Sequence, residues 1–190
     1  IDDKNSGAKI IQEVTLLENE KRIEIENRLE HVSDLFNDDR YKRYAYYAFP
    51  FAVPKAKRLC HLNGCVAEYG KDITGHTTDV YMAPCEWCSV ENEEWGIGWM
   101  QLDSQLVEFD HIHPDKTDYG LAGAGSELYS YVANDWLQMH VSSGNSLSFR
   151  FRYGITSYKG NYCQAGLPEM AERYANPMLC CHIYPHSGNL

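Results

Sequence analysis

The chain has 190 residues, 44% of them hydrophobic and 23% charged, with a formal net charge of −10. A globular chain of this length buries roughly 70% of its extended surface, so one sizeable core is expected without staples. The negative charge and the scatter of the basic residues argue against nucleic acid as a partner. The longest apolar run, Tyr44 to Val53, falls well short of the roughly 20 residues that span a bilayer, and no membrane partner is expected. The first residues, Ile1 to Ala8, lack the apolar stretch of a signal peptide. Seven cysteines are too sparse for a disulfide scaffold and odd in number. They favour free thiols, and hence a cytoplasmic location.

In chain order, residues 1–7 read as a polar tail and 8–190 as a single β-sandwich domain. Ile10 to Leu17 and Arg22 to Glu30 flank Glu18-Asn19-Glu20-Lys21 and predict an antiparallel hairpin. In its second arm Ile23, Ile25, Asn27 and Leu29 alternate with charged residues, the period of a strand with one wet face. The aromatic stretch 40–54 ends in prolines and suits a strand at a sheet edge. Glu94 to Gln101 and Gln105 to Phe109 predict two short strands. Between 146 and 155, Leu147, Phe149, Phe151 and Tyr153 face one way and Ser148, Arg150 and Arg152 the other, again a strand. Only 168–177 predicts a helix, about two turns long, with Pro168 in its first turn and Asn176-Pro177 as its stop. Short strands separated by Gly, Pro and Asn predict an all-β sandwich or barrel with little helix.

Three groups of residues carry possible chemistry. His111, His113 and Asp115 alternate, as metal ligands on an extended backbone do, and such a set could hold an open zinc site. They follow an apolar run, however, and so read as the start of a polar loop. Cys60, Cys65, Cys85 and Cys88 give C-x4-C and C-x2-C, the first looser than the usual zinc knuckle, and with the second pair in an apolar stretch all four are expected to be buried thiols acting as small hydrophobes. The tryptophans and tyrosines could stack on sugars, although large aromatics in a sandwich are mostly core. Asp103, Glu108 and Asp110 could supply the paired carboxylates of glycoside hydrolysis, which requires a defined separation between them.

Six stretches, 12–30, 46–54, 70–90, 95–109, 127–136 and 147–155, occur in the order seen in one family. Over roughly residues 8–180 the chain resembles the C-terminal β-region of glycoside hydrolase family 38, the α-mannosidases and their bacterial relatives. The resemblance implies a galactose-mutarotase-like β-supersandwich. It also implies that the catalytic zinc and nucleophile lie in a separate domain of a larger parent, so no cofactor is expected here and the chain alone should be inactive. The stretch His111 to Asp115 copies the start of the family's zinc motif but lacks its tryptophan and falls in a different place, so no zinc ligand is carried over to it. The partners implied are the parent's other domains and carbohydrate. Asp79, Trp87, Asn134 and Trp136 lie in resembling stretches beside expected strand ends and are the residues expected to face a sugar cleft. The alternatives are a free-standing carbohydrate-binding module and an independent metal-dependent or mutarotase-like enzyme using His111 or His113.

Overall fold

The structure is a computed structural model and describes residues 8–31, 44–72, 81–104, 106–112, 125–134 and 148–178. Its strands are β1 (Lys9–Leu16), β2 (Ile23–Glu30), β3 (Tyr44–Phe49), β4 (Lys57–Leu62), β5 (Cys65–Glu68), β6 (Trp87–Glu91), β7 (Trp95–Gln101), β8 (Val107–Phe109), β9 (Leu128–Asn134) and β10 (Phe149–Lys159), followed by one helix, α1 (Leu167–Ala175). Strands hold 52% of the described residues, so this is a mostly-β protein. Two antiparallel sheets form, neither closed: seven strands in the order β1-β2-β10-β7-β6-β4-β5, and three in the order β3-β9-β8.

Register explains how the sheets meet. Directly opposed residues of antiparallel strands point to the same side. Ile25 lies opposite Tyr153, and Tyr153 opposite Gln101, while Ile155 lies between Ile23 and Trp99. These residues share the inner face. Against it the three-stranded sheet turns Phe49, Val107, Phe109 and Leu128, all buried in one cluster with Trp99 and Tyr153. The Phe49 ring meets Trp99 and Tyr153 edge-on, at centroid distances of 5.7 and 5.0 Å. Such contacts add about 0.5–1.5 kcal/mol each beyond the area they bury.

The outer face of the large sheet is covered as well. Helix α1 sets Leu167 and Ala171 against Leu59, Trp87, Met100 and Tyr158. Pro168 stands in its first turn, and Gly166 precedes it with φ 65°, a left-handed conformation that glycine adopts without strain. Glu91 ties this layer together. Its Oε2 accepts from Tyr158 Oη at 2.9 Å and from the backbone N of Tyr162, just before the helix, at 2.8 Å.

The hairpin β1–β2, the edge position of β3, strands β7 and β8 and the helix all lie where the sequence predicts them. The strand expected to end at residue 155 continues to Lys159, because it stays paired with β7 as far as Trp95 and packs Tyr158 into the cluster under α1. Strands β4, β5, β6 and β9 were not predicted from periodicity. Every residue of β6 is buried, so it shows no alternation. The β4–β5 hairpin turns on Asn63 and Gly64, with φ 48° and 84°, the two positive angles of a type I′ turn. The expectation that four cysteines are buried holds for Cys60 and Cys88, whose sulfurs lie 3.2 Å apart on neighbouring strands. It fails for Cys65 and Cys85, which are exposed because they sit at the turn and just ahead of β6.

At the β1 end the inner face runs on beyond the core. Ile10, Val14, Leu16, Ile23 and Phe149 line this end, with Val14 55% and Leu16 76% exposed.

At Gly96 the side chains of the two neighbouring strands close over the backbone. A Cβ there would stand 2.6 Å from the Tyr158 ring and 2.7 Å from Glu91 Cβ, neither of which can swing aside. Gly96→Ala is expected to lower stability by about 1–3 kcal/mol, read as a lower urea midpoint with an unchanged slope. An unchanged midpoint would show that the outer layer is loosely packed.

Candidate functional site

A groove of about 670 Å³ opens on the outer face between the hairpin and the end of α1. Its hairpin wall is the charged face of β1 and β2, with Glu13, Glu24 and Glu26 projecting opposite the inward-facing aliphatics. Arg152 lies at the floor, and Tyr174 and Pro177 at the far side. Asp103 fixes Arg152: Oδ2 accepts from Nε at 2.9 Å and from the backbone N at 3.0 Å, and Oδ1 accepts from Nη2 at 2.9 Å. This two-pronged geometry sets the guanidinium plane. Arg22 pairs with Glu20 and Glu24, each at 2.7 Å, and lies 5.1 Å over the Tyr174 ring. Burial, followed by the nearby Glu24 carboxylate, pushes the Tyr174 phenol up to about 12. Arg22 and Arg152 thus each find a carboxylate partner at the groove.

At its edge stand Cys85 and Glu86, which also line the groove. Across the β4 boundary His61 Nδ1 hydrogen-bonds Glu86 Oε2, and the donor atoms of His61, Cys85 and Glu86 all lie within 4.8 Å of one another. The His61 ring stacks on Trp87 at 5.9 Å with an interplanar angle of 14°. Neither His61 nor Glu86 stood out in the sequence. The one local signal was the Asn63-Gly64 turn, which places His61 on a strand beside Cys85.

A second polar cluster lies on the far side of the small sheet. Glu108 alternates with the core residues Val107 and Phe109 and is itself fully buried. Tyr46 Oη donates to Glu108 Oε1 at 2.5 Å, spanning the central strand. The rings of Tyr46 and Tyr81 both meet Tyr131 edge-on, at 5.0 and 5.6 Å, and the two phenols hydrogen-bond each other. Burial first, then Glu108, raises the Tyr46 phenol far above its ordinary range, so it remains a donor.

Asp103 and Glu108 therefore lie on opposite sides of the sandwich. Asp103 holds Arg152, which alternates with the inward-facing Phe151 and Tyr153, whereas Glu108 lies behind the other sheet. They cannot flank one glycosidic bond. Asp110 is engaged locally, accepting from Gly125 N at 2.7 Å and pairing with His111 Nδ1 at 2.6 Å. Burial alone would raise its carboxyl, but these two hydrogen bonds outweigh it and hold the group below the usual range.

In comparisons with known proteins, no family model and no curated relative matches the chain.

Of the residues expected at a sugar cleft, Trp87 is 2% exposed and its ring is enclosed by His61 and Tyr162, with no free face for a sugar. Its buried neighbours explain the difference: β6 is an interior strand of the large sheet. Asn134 closes β9 opposite Tyr44. Asp79 and Trp136 lie outside the described residues, as do His113 and Asp115 of the sequence-predicted metal stretch. His111, its one described member of the three, is paired with Asp110.

Burial pushes Tyr46, Tyr153 and Tyr158 above the ordinary phenol value, and Tyr47 up to about 12. Unfolded phenols ionise near pH 10. The folded chain keeps these protons longer, so this contribution is complete below about pH 10 and is lost as pH rises above it. In an alkaline titration, buried-tyrosine phenolate absorbance should appear together with loss of the far-UV signal. Ionisation of these residues in a fully folded protein would contradict the packing described.

Proposed function

We propose that the chain is the non-catalytic C-terminal β-region of an α-mannosidase-like glycoside hydrolase of family 38, with the galactose-mutarotase-like supersandwich that such a region has. The six resembling stretches support this reading. They cover most of β1 and all of β2, the last four residues of β3, β6 as far as Val90, all of β7, β8 and β9, and the first part of β10, and so contribute to both sheets. The observation that carries the reading furthest is the bare apolar end of the inner face, where Val14 and Leu16 stand in solvent on a face that elsewhere is core. An exposed apolar strip of this kind fits an interface with another domain. The catalytic and helical domains of the parent would cover it.

The parent's chemistry would be a retaining displacement, in which a carboxylate attacks the anomeric carbon of a terminal α-mannoside and an acid protonates the leaving oxygen, with zinc holding the sugar hydroxyls. Those groups belong to the catalytic domain. The separation of Asp103 from Glu108 across the core agrees with a supporting rather than a catalytic role. Asp79, Asn134 and Trp136, which the resembling stretches contain, would help to wall the sugar cleft.

The purified chain, with zinc supplied, is expected to leave an aryl α-mannoside unhydrolysed and to bind free mannosides no more than weakly. Turnover that disappears in His113→Ala would overturn the reading in favour of an independent enzyme. Tight glycan binding by the chain alone would overturn it in favour of a free-standing carbohydrate-binding module.

A further inference from the structure

We propose that His61, Cys85 and Glu86 form a binding site for one zinc ion at the edge of the groove. The first reason is donor chemistry. A thiolate, an imidazole and a carboxylate are all ligands of zinc, and the soft sulfur disfavours magnesium and calcium. Their charges also balance, since a thiolate and a carboxylate beside a neutral imidazole supply two negative charges for a dication.

The second reason is geometry. Donor atoms around tetrahedral zinc stand about 3.3–3.8 Å apart, given bonds of about 2.0–2.3 Å. The three donors here already lie within 4.8 Å of one another, so side-chain rotations on a fixed backbone bring them into place. That backbone is fixed at three points. Cys85 N donates to His61 O at 2.8 Å, Gln101 N donates to Glu86 O at 2.9 Å, and Gln101 Nε2 donates to Cys85 O at 2.8 Å. Stacking on Trp87 sets the imidazole plane. The backbone N–H of Asn63 points at Cys85 Sγ from 3.2 Å and so orients the sulfur.

The third reason is access. The His61 and Glu86 side chains are 25% and 38% exposed and Cys85 is exposed, so an ion can enter and solvent can complete its coordination. On binding, the proton of the Cys85 thiol would leave to solvent, while the imidazole, taking the Nε2–H form by exchange with water, would stay neutral and offer Nδ1 to zinc. The site is distinct from the Cys60–Cys88 pair, which is fully buried.

The test is a competition titration of zinc against a chromophoric chelator, with cobalt as a spectroscopic substitute. Wild-type protein is expected to take up one equivalent and to show a thiolate-to-cobalt charge-transfer band. Cys85→Ser should abolish the band and weaken zinc binding about a hundredfold or more, His61→Gln should weaken it comparably, and Cys65→Ser should change neither. Alkylation of the unmutated protein gives an independent readout. Zinc should shield Cys85 while Cys65 and Cys163, also exposed, continue to react. Absence of binding, binding that survives Cys85→Ser, or binding lost instead in His113→Ala would each overturn the proposal.

Discussion

The architecture depends on the middle of the large sheet being dry on both sides. Strands β6, β7 and β10 carry the inner face of Cys88, Trp99 and Tyr153 that meets the small sheet. Their other face, Trp87, Met100 and Tyr158, lies under α1. Two-sided burial leaves little room, and β7 meets that constraint with glycine. At Gly96 the Tyr158 ring occupies the place of a side chain, and at Gly98 a Cβ would stand 2.4 Å from Leu167 Cδ1. The short spacing of Trp95-Gly96-Ile97-Gly98-Trp99 is thus the pattern of a strand that is large on one face and absent on the other. Glu91 adds a polar tie within the same layer, satisfied by Tyr158 and Tyr162.

From that centre the sheet becomes progressively more exposed towards β1. On the outer side the hairpin carries charges, and these form the groove wall. On the inner side it carries aliphatics that the small sheet does not reach. One hairpin therefore presents two different surfaces: a charged groove beside α1, and an exposed apolar strip. The cluster of His61, Cys85 and Glu86 belongs to the groove side, whereas the buried Glu108 with its tyrosines belongs to the far side of the small sheet. Both polar centres take their direction from strand alternation, since each lies one residue away from a core position.

Alternation was also what made part of this legible in the sequence. Arg22 to Glu30 and Leu147 to Tyr153 show period two because each has one wet and one dry face, and the hairpin and the start of β10 follow from it. Strand β6 has no wet face, and its five buried residues, Trp87 to Glu91, gave no pattern to read. The Asn63-Gly64 turn did carry a local signal for β4 and β5, in the two positive φ angles that Asn-Gly accepts. The functional residues were less legible. Trp87 is expected at a cleft from its place beside a strand end in a resembling stretch, and neither that place nor its residue type reveals that His61 and Tyr162 enclose it. His61 and Glu86 are 25 positions apart and meet only through the pairing of Cys85 with β4. Asp103 and Glu108 are close in sequence yet separated by the core.

The proposed role is to support the other domains of a glycosidase through the exposed apolar end of the large sheet. Hydrogen–deuterium exchange on the chain, alone and mixed with the polypeptide encoded directly upstream of it, tests this most directly. The account predicts a stable complex in which Lys9–Leu16 and Ile23–Glu30 gain protection while the strands under α1 change little. No complex, or a complex in which those two strands exchange as fast as in the free chain, would contradict it.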